Sequence, residues 1–252
     1  MFHKYLLGVP VNSINLVVLG ELGRQTFNFH CNVKFINGWL RILSHEDNRY
    51  TKLCYYEQFR LAENNTPSWG LRIKMLLQSL GFGFVWLNQG VGDVKAFLQT
   101  FRQRLLDINL QNWMSAINSA SSLRTYVMTK TEYYIEPYIL NVDKFIWRRS
   151  LARLRCASLD IGVNRGRKNG VPFELRKCDY CQKSEIDDEY HFIIICPHLD
   201  NIRIKYIPSF YTRFPTREKF SILLKLNSKK EARSISLFII HALKHRANYV
   251  NN

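Results

Sequence analysis

Four residues in the C-terminal third of the chain have the types and spacing of a metal site. Two residues separate Cys178 from Cys181, nine separate Cys181 from His191, and four separate His191 from Cys196. Two cysteines at this spacing can point both sulfur atoms at one ion, and a histidine with a third cysteine completes a tetrahedron. Four ligands leave no open position, and the polar stretch 184–189 has too few apolar residues to order itself without a metal. The pattern therefore predicts a structural zinc site.

Other histidines and cysteines offer alternatives to this assignment. His198 could replace Cys196 as the fourth ligand, but Pro197 between them favours Cys196. The cysteines could also be free thiols beside a surface histidine, although the spacing favours zinc. His241 and His245 have the i, i+4 spacing of a helical pair, but no acidic residue accompanies them as in a metalloprotease, so we interpret them as surface residues.

No arrangement of residues indicates catalysis. The chain lacks the phosphate-binding G-x-x-x-x-G-K-[ST] loop, the dinucleotide G-x-G-x-x-G motif and the G-x-S-x-G nucleophile motif. Asp187 and Asp188 resemble a metal-binding acidic pair in composition, but they lie inside the predicted finger rather than between apolar strands. We interpret them as solvated loop charges and expect no catalytic residue.

The net charge of +16 indicates a polyanionic partner. Residues 148–252 contain 21 basic and 10 acidic residues, whereas residues 1–147 contain 15 and 10. Nucleic acid is the usual partner of such a region, although charge alone also serves solubility. An acidic membrane surface is a weaker alternative, because no basic helix has a clean apolar face. The candidate phosphate contacts are Arg165, Arg167, Lys168, Arg176, Lys177, Arg148 and Arg149.

Helical periodicity dominates the segments that must position these residues. It predicts helices from Asn12 or Ser13 to Leu22, over 25–43 and 50–61, from Ser68 to Leu80, from Asp93 to Ile108, a short one with Trp113 and Ile117, and over 122–128, 143–155 and about 218–249. Gly162, Gly166 and Gly170 with neighbouring basic residues predict an exposed loop and a domain boundary. We therefore expect a mainly α fold, an irregular helical bundle with a small zinc-stabilised finger. The expected division is 1–160 helical, 161–200 basic loop and finger, and 201–252 helical tail.

Apolar runs are short throughout. The longest, 192–196, has five residues, whereas a membrane span needs roughly 20. The first ten residues lack the features of a signal peptide. We expect an intracellular protein, in either the nucleus or the cytoplasm.

Several of these segments together resemble a known family. Leu151–Arg155, Gly166-Arg167, the run from Arg176 to Cys181, the run from Asp187 to Pro197, and Arg203 are similar to the C-terminal zinc-binding segment of non-LTR (LINE-type) retrotransposon polyproteins. That family pattern has an arginine-bearing helix, a Gly-Arg turn, C-x2-C, an acidic run before His-Phe, and Cys-Pro. Softer matches upstream (Tyr5–Val9, Gly20–Arg24, Trp39, Gly81–Gly83, Asn88–Val94) look like the region that links the reverse transcriptase to this finger, so the resemblance covers nearly all of the chain.

Departures from the family pattern restrict what the resemblance implies. The polymerase motif [Phe/Tyr]-x-Asp-Asp is missing, and so is an apurinic-type endonuclease. The finger is also longer than the retroviral C-x2-C-x4-H-x4-C knuckle, so base stacking by that module is not carried over. The resemblance implies a fragment downstream of the polymerase, where such regions help to grip template RNA or target DNA, with the rest of a retrotransposon polyprotein as a further partner.

We accordingly expect a non-catalytic nucleic-acid-binding region that holds zinc and takes RNA or DNA, with no small-molecule substrate. The alternative is a zinc-scaffolded protein-interaction module whose basic surface is incidental. A nuclease ranks last, because the 56 residues after Cys196 contain no spaced Asp and Glu-x-Lys set.

Overall fold

The structure, a computed structural model, describes residues 2–181, 183–226 and 228–250. These residues are mainly α-helical and contain no β-strand; one antiparallel bridge joins Lys177 and Ile186. The predicted fold class, a mainly α chain with a Cys/His cluster in its C-terminal third, is confirmed. No described helix is both long enough and apolar enough to cross a membrane.

The helices follow one another with short connections. In chain order they are α1 (Phe2–Leu7), α2 (Asn15–Leu22), α3 (Phe27–Leu43), α4 (Tyr50–Glu63), α5 (Trp69–Ser79), α6 (Gly83–Leu87), α7 (Val94–Ser119), α8 (Arg124–Thr129), α9 (Pro137–Asn141), α10 (Phe145–Arg155), α11 (Gly162–Lys168), α12 (Asp200–Tyr206), α13 (Ser209–Thr212), α14 (Arg217–Leu224) and α15 (Lys229–Val250). Single 3₁₀ turns cover Ser121–Leu123, Phe173–Leu175 and Pro197–Leu199, and a π-helical turn covers His191–Ile195.

Local capping signals account for several of these boundaries. The Ser68 hydroxyl accepts a hydrogen bond from the Leu71 N–H, and the Asp93 carboxylate accepts one from the Ala96 N–H, so both residues begin helices as predicted. Gly23 ends α2 in the left-handed conformation with φ of +58°. α2 itself begins at Asn15, slightly later than predicted.

Three predicted boundaries differ from the structure. The two helices expected on either side of residue 110 are one continuous helix, α7, because no glycine or proline interrupts 94–119. Residues 83–87, which lie between two predicted helices, form the short helix α6. The expected single tail helix is divided into α14 and α15, and Leu226 between them has φ of +52°.

The chain forms two compact units, residues 1–24 with 115–252 and residues 25–114. In the second unit, stripes of α3, α4, α5 and α6 bury an aromatic core. Trp39 and Trp86 stack with ring centroids 5.8 Å apart, and Phe59 lies 5.5 Å from Trp86. This division differs from the expected one, since 161–200 and 201–252 belong to the same unit as α10.

A buried ionic network lies in the first unit. Arg155 on α10 pairs with Glu21 at 2.9 Å and with Glu136 at 3.1 Å, and Lys130 pairs with Glu136 at 2.6 Å. The Tyr138 hydroxyl donates to Glu21 at 2.7 Å. Because buried charges are tolerated only when they are paired, this network holds the N-terminal segment against α10.

Candidate metal centre

The structure brings the four predicted ligands together. The Sγ atoms of Cys178, Cys181 and Cys196 and a ring nitrogen of His191 all lie within 4.8 Å of one another. The sulfurs of Cys178 and Cys196 are 3.9 Å apart, and the Cys181 sulfur is 3.5 Å from His191 Nε2. Three of the four residues are buried and Cys181 is half-buried. The cluster has the donor set and the spacing to hold one metal ion.

A short hairpin-like loop presents the first two cysteines. The Cys178 N–H donates to the Glu185 carbonyl at 2.9 Å, and the Asp187 N–H donates to the Arg176 carbonyl at 2.9 Å. These two bonds close the polar loop at its base. Cys178 and Cys181 therefore lie at the start of a loop whose two ends are joined to each other by backbone hydrogen bonds.

A π-helical turn presents the other two ligands. The Cys196 N–H donates to the His191 carbonyl at 2.8 Å, an i+5 to i bond. In an α-helix, residues five apart point about 140° away from each other, whereas a turn closed by an i+5 bond brings the fifth residue back over the first. The wider turn is what allows His191 and Cys196 to reach one ion.

Hydrogen bonds orient the imidazole. His191 Nδ1 lies 3.0 Å from Glu185 Oε2, which leaves Nε2 facing the cysteines. A carboxylate on the second ring nitrogen is the usual partner of a metal-bound histidine, because it selects the tautomer and fixes the ring. The Asp188 carboxylate accepts the His191 N–H at 2.7 Å, which starts the π turn.

One hydrogen bond links the buried sulfur atoms of Cys178 and Cys196, which lie 3.9 Å apart. The hydrogen bond between the two sulfur atoms lowers the pKa of Cys196 and raises the pKa of Cys178, since one thiol donates to the other as thiolate. A metal ion would take the place of the proton in that hydrogen bond, because thiolates are the form that binds metals.

Arg246 on α15 completes the cluster, and sequence reasoning missed it. Its Nη2 lies 3.6 Å from the sulfurs of both Cys178 and Cys196, and its guanidinium pairs with Asp187 at 2.9 and 3.0 Å. Arg246 is 2% exposed and Asp187 is 0% exposed. The sequence offers one sign of its role. Arg246 follows the buried residues Phe238 and Ala242 at the four-residue spacing of one helix face, where an apolar residue is expected.

The interpretation of Asp187 and Asp188 as solvated loop charges is wrong. Asp187 is fully buried and also accepts the Gly162 N–H at 2.6 Å. Asp188 is half-buried and pairs with Arg217 at 3.4 Å in addition to its bond with His191. The loop folds back against α11 and α15, so acidic residues that look solvated in sequence hold the finger in place.

Arg203 secures the other side of the π turn. Its guanidinium donates to the Ile193 and Cys196 carbonyls, each at 2.7 Å, and pairs with Asp200. It is buried, so these bonds satisfy carbonyl groups at the end of a helical turn that would otherwise lack donors.

The remaining histidines do not join the cluster. The His198 ring is tilted against that of His245 with centroids 4.7 Å apart and meets the Tyr249 ring edge to face at 4.8 Å. Its Nε2 is buried and has no hydrogen-bond partner within the described part of the chain. His241 and His245 are exposed, in agreement with the interpretation as surface residues.

The predicted basic loop is a helix, and the expectation of an exposed boundary there is wrong. Residues 162–168 form α11, in which Gly162, Val163, Asn164 and Gly166 are buried. A Cβ atom on Gly166 would lie 2.5 Å from the Arg176 Cγ atom. These glycines therefore allow close packing instead of providing flexibility.

The candidate phosphate contacts divide into internal and free cations. Arg165 pairs with Asp160 and Asp179, at 3.5 and 3.2 Å. Arg167 donates to the Ala157 carbonyl at 2.7 Å, and Arg176 donates to the carbonyls of Val171 and Val163 at 2.8 and 3.2 Å. Lys168 and Lys177 are exposed, and neither forms an ion pair with any described residue.

The second basic cluster lies on α10. Arg148 donates to the Val142 carbonyl at 2.9 Å and is half-buried. Arg149 is also half-buried, and its side chain packs against Gly8. Both arginines are therefore partly accessible to solvent.

No family model, curated protein or solved structure matches this chain. The function of the site is therefore inferred from its own geometry and charge.

Proposed function

We propose that this chain is a non-catalytic nucleic-acid-binding region organised around a structural zinc site, of the kind found downstream of the reverse transcriptase in LINE-type retrotransposons. The observation that carries the proposal is the surplus of free cations on the unit that contains the Cys/His cluster. Between residues 148 and 250, exposed cations without an ion pair to any described residue are Lys168, Lys177, Lys183, Lys205, Arg213, Lys225, Lys230, Arg233 and Lys244.

Zinc is the metal that fits the donor set and its dimensions. Zn–S bonds of about 2.3 Å and a Zn–N bond of about 2.05 Å at tetrahedral angles give an S···S separation of about 3.8 Å and an S···N separation of about 3.6 Å. Cys178 Sγ and Cys196 Sγ are 3.9 Å apart, Cys181 Sγ and His191 Nε2 are 3.5 Å apart, and all four donor atoms lie within 4.8 Å of one another. Three thiolates and one imidazole are soft ligands that favour zinc over magnesium or calcium.

The complete set of four protein ligands supports a structural role for this ion. Zn²⁺ with three thiolates has a net charge of −1, which would be costly in a buried site without favourable contacts. The Arg246 guanidinium lies 3.6 Å from two of the sulfurs and interacts favourably with them, while its own charge is paired with Asp187, which fixes it in place. All four metal ligands come from the protein, so the ion has no position for a substrate and its role is to hold the loop, the π turn and α15 together.

The free cations provide the electrostatic attraction for a nucleic acid. A polyanion that displaces counterions is held more tightly at low salt, and each phosphate contact adds roughly 0.7 to the salt slope for a single strand. Lys168 at the end of α11 and Lys177 beside Cys178 lie at the edges of the finger. Their freedom from internal bonds distinguishes them from Arg165, Arg167 and Arg176.

Binding of a labelled single-stranded RNA, measured by fluorescence anisotropy over a range of salt, tests the proposal. The double variant Lys168→Gln, Lys177→Gln is expected to flatten the slope of log affinity against log salt by about 1.4. The matched control Lys34→Gln, Lys95→Gln removes the same charge from exposed positions of the other unit and is expected to leave the slope unchanged. If the wild-type protein shows no saturable binding of RNA or duplex DNA at moderate salt, the proposal is refuted.

A protein-interaction module is the second candidate. It is favoured by exposed apolar side chains on α1 and α10, namely Phe2, Tyr5, Phe145 and Ile146. Those two helices pack together, and the Phe145 ring lies close to Gly8 directly after α1. The same anisotropy experiment separates the candidates, because this alternative expects no salt-dependent RNA binding.

The retrotransposon relationship has its own tests. A reading frame for a polymerase palm directly upstream in the genome would support it. Since the [Phe/Tyr]-x-Asp-Asp motif is missing from this chain, the purified protein is expected to show no primer extension with magnesium, template and nucleotides. Extension that survives removal of contaminating polymerases would contradict the non-catalytic assignment.

A further inference from the structure

A pocket of about 350 Å³ lies in the first unit, between the 3₁₀ turn at Ser121, the helix α11 and the segment that leads into the finger. Three arginines line it together with two serines and an aromatic ring: Arg124, Arg167, Arg176, Ser121, Ser122 and Phe173. None of the residues that line it belongs to the Cys/His cluster. The pocket concentrates positive charge in a recess.

Two of these arginines are held by the protein backbone. Arg167 donates from one Nη to the Ala157 carbonyl, and Arg176 donates from Nε and Nη1 to the carbonyls of Val171 and Val163. A guanidinium has five N–H donors, so each keeps donors beyond those used in these bonds. The side chains of Arg167 and Arg176 are therefore fixed in position, and each still has N–H groups that can donate to a ligand.

The third arginine forms no hydrogen bond with any described residue and interacts with Glu189 only through its charge. Arg124 forms no hydrogen bond or ion pair with the residues that the structure describes, and its guanidinium lies over the Phe173 ring at 4.0 Å. Arg176 lies 5.9 Å from the same ring. Two guanidinium groups therefore lie near the Phe173 ring. A guanidinium that stacks on an aromatic face can still donate hydrogen bonds to an anion from the N–H groups at its edge.

Acidic residues offset only part of this charge. Glu189 lines the pocket and accepts a hydrogen bond from the Thr125 hydroxyl at 3.1 Å, and Glu174 lines it from an exposed position. Three arginines and two carboxylates leave the pocket with a net positive charge. Of the two carboxylates, Glu189 is buried and Glu174 is exposed.

We propose that this pocket binds one phosphate group. Guanidinium forks match the oxygen geometry of phosphate, and the serine hydroxyls add donors of the same kind. The volume lies near the lower end of small-ligand sites, about 300–1,000 Å³, so it accommodates a phosphate with its sugar but not a base pair. This inference rests on the proposed function in one respect, namely that the phosphate belongs to a nucleic acid strand. A free phosphate compound would present the same chemical group to the pocket.

Two measurements on Arg124→Gln test the pocket. Arg124 is exposed and forms no polar bond within the described chain, so the variant is expected to fold with an unchanged Tm in chloride. RNA binding is expected to weaken about tenfold at low salt, since hydrogen bonds to charged groups are lost. The salt slope is expected to fall by about 0.7. Inorganic phosphate, at ionic strength matched with chloride, is expected to raise the Tm of the wild type but not of the variant.

A matched variant and the set of outcomes make the test decisive. Arg104→Gln removes an exposed arginine of the other unit and is expected to behave as wild type in both assays. If Arg124→Gln binds RNA like wild type and responds equally to phosphate, the pocket is refuted while the proposed function stands. If wild type binds no RNA but phosphate stabilises it and not the variant, the pocket is supported and the proposed function fails. If wild type responds to neither ligand, both are overturned.

Discussion

Replacement of Arg246 by methionine tests whether the finger depends on an ionic contact outside its own sequence. Methionine keeps the length and apolar volume of the side chain but removes the guanidinium. The change leaves the Asp187 carboxylate, which is 0% exposed, with the Gly162 N–H as its remaining donor. It also removes the two N–H contacts at 3.6 Å from the sulfurs of Cys178 and Cys196.

The expected loss of stability follows from the burial of the pair. Breaking a buried ion pair by removing one partner costs about 3–5 kcal/mol, because the other charge stays buried without compensation. For a protein of this size, 1 kcal/mol corresponds to a change in Tm of roughly 2–4 °C, so a fall of about 6–20 °C is expected. The loss is expected to be larger in zinc-loaded protein, since three thiolates then share the site with only two positive charges from the ion.

Urea unfolding with excess zinc and with a chelator measures this effect, and competition with a chromophoric chelator measures zinc affinity. Lys244→Met, an exposed change on the same helix, is expected to alter stability by less than about 0.5 kcal/mol. The double variant Arg246→Met, Asp187→Asn removes both charges and is expected to recover part of the loss. A single variant within about 1 kcal/mol of wild type, or a double variant no more stable than the single one, would refute the reasoning.

Three further predictions concern the metal, the glycines and the buried network. Elemental analysis is expected to find about one zinc per chain in wild type and in Cys54→Ser, and much less in Cys178→Ser; equal zinc in all three would contradict the site. Gly162→Ala is expected to destabilise the protein by about 1–3 kcal/mol, because the added Cβ lies 2.7 Å from that of the buried aspartate, whereas Gly38→Ala meets nothing within 4 Å and is expected to stabilise by up to about 1 kcal/mol. Equal effects in urea unfolding would show that close packing is not the reason for the first glycine. Glu21→Gln is expected to cost about 3 kcal/mol, because its buried arginine partner loses a carboxylate; a Tm equal to that of wild type would disprove the role of the network.

Features set by short-range interactions were predictable from sequence. The caps at Ser68 and Asp93 each bond to a backbone N–H three residues along the chain, so their residue types and positions suffice to identify them. The four residues of the Cys/His cluster lie within one short segment, and their spacing limits the geometries that can place four donors around one point. The mainly helical fold also follows from periodic apolar stripes.

Tertiary packing gives several residues a structural role that differs from the one their local sequence suggests. The glycines of 162–170 have the composition of an exposed loop, but Gly162 and Gly166 make room for Asp187 and Arg176 inside a helix. Asp187 has the sequence context of a solvated charge until α15 brings Arg246 against it. Which of two opposite roles each residue takes depends on partners that lie far away in sequence.

The sequence by itself determined the helical class, the positive charge and the four residues of the Cys/His cluster, because propensity, charge and ligand chemistry belong to residues and their near neighbours. Only the tertiary structure decided which cations are free and which are internal. Lys168 and Lys177 have no ion-pair partner among the described residues, whereas Arg176 and Arg246 donate to groups brought to them by folding. The physical reason is that the electrostatic role of a long, flexible cation depends on the acceptors that surround it after the chain has packed.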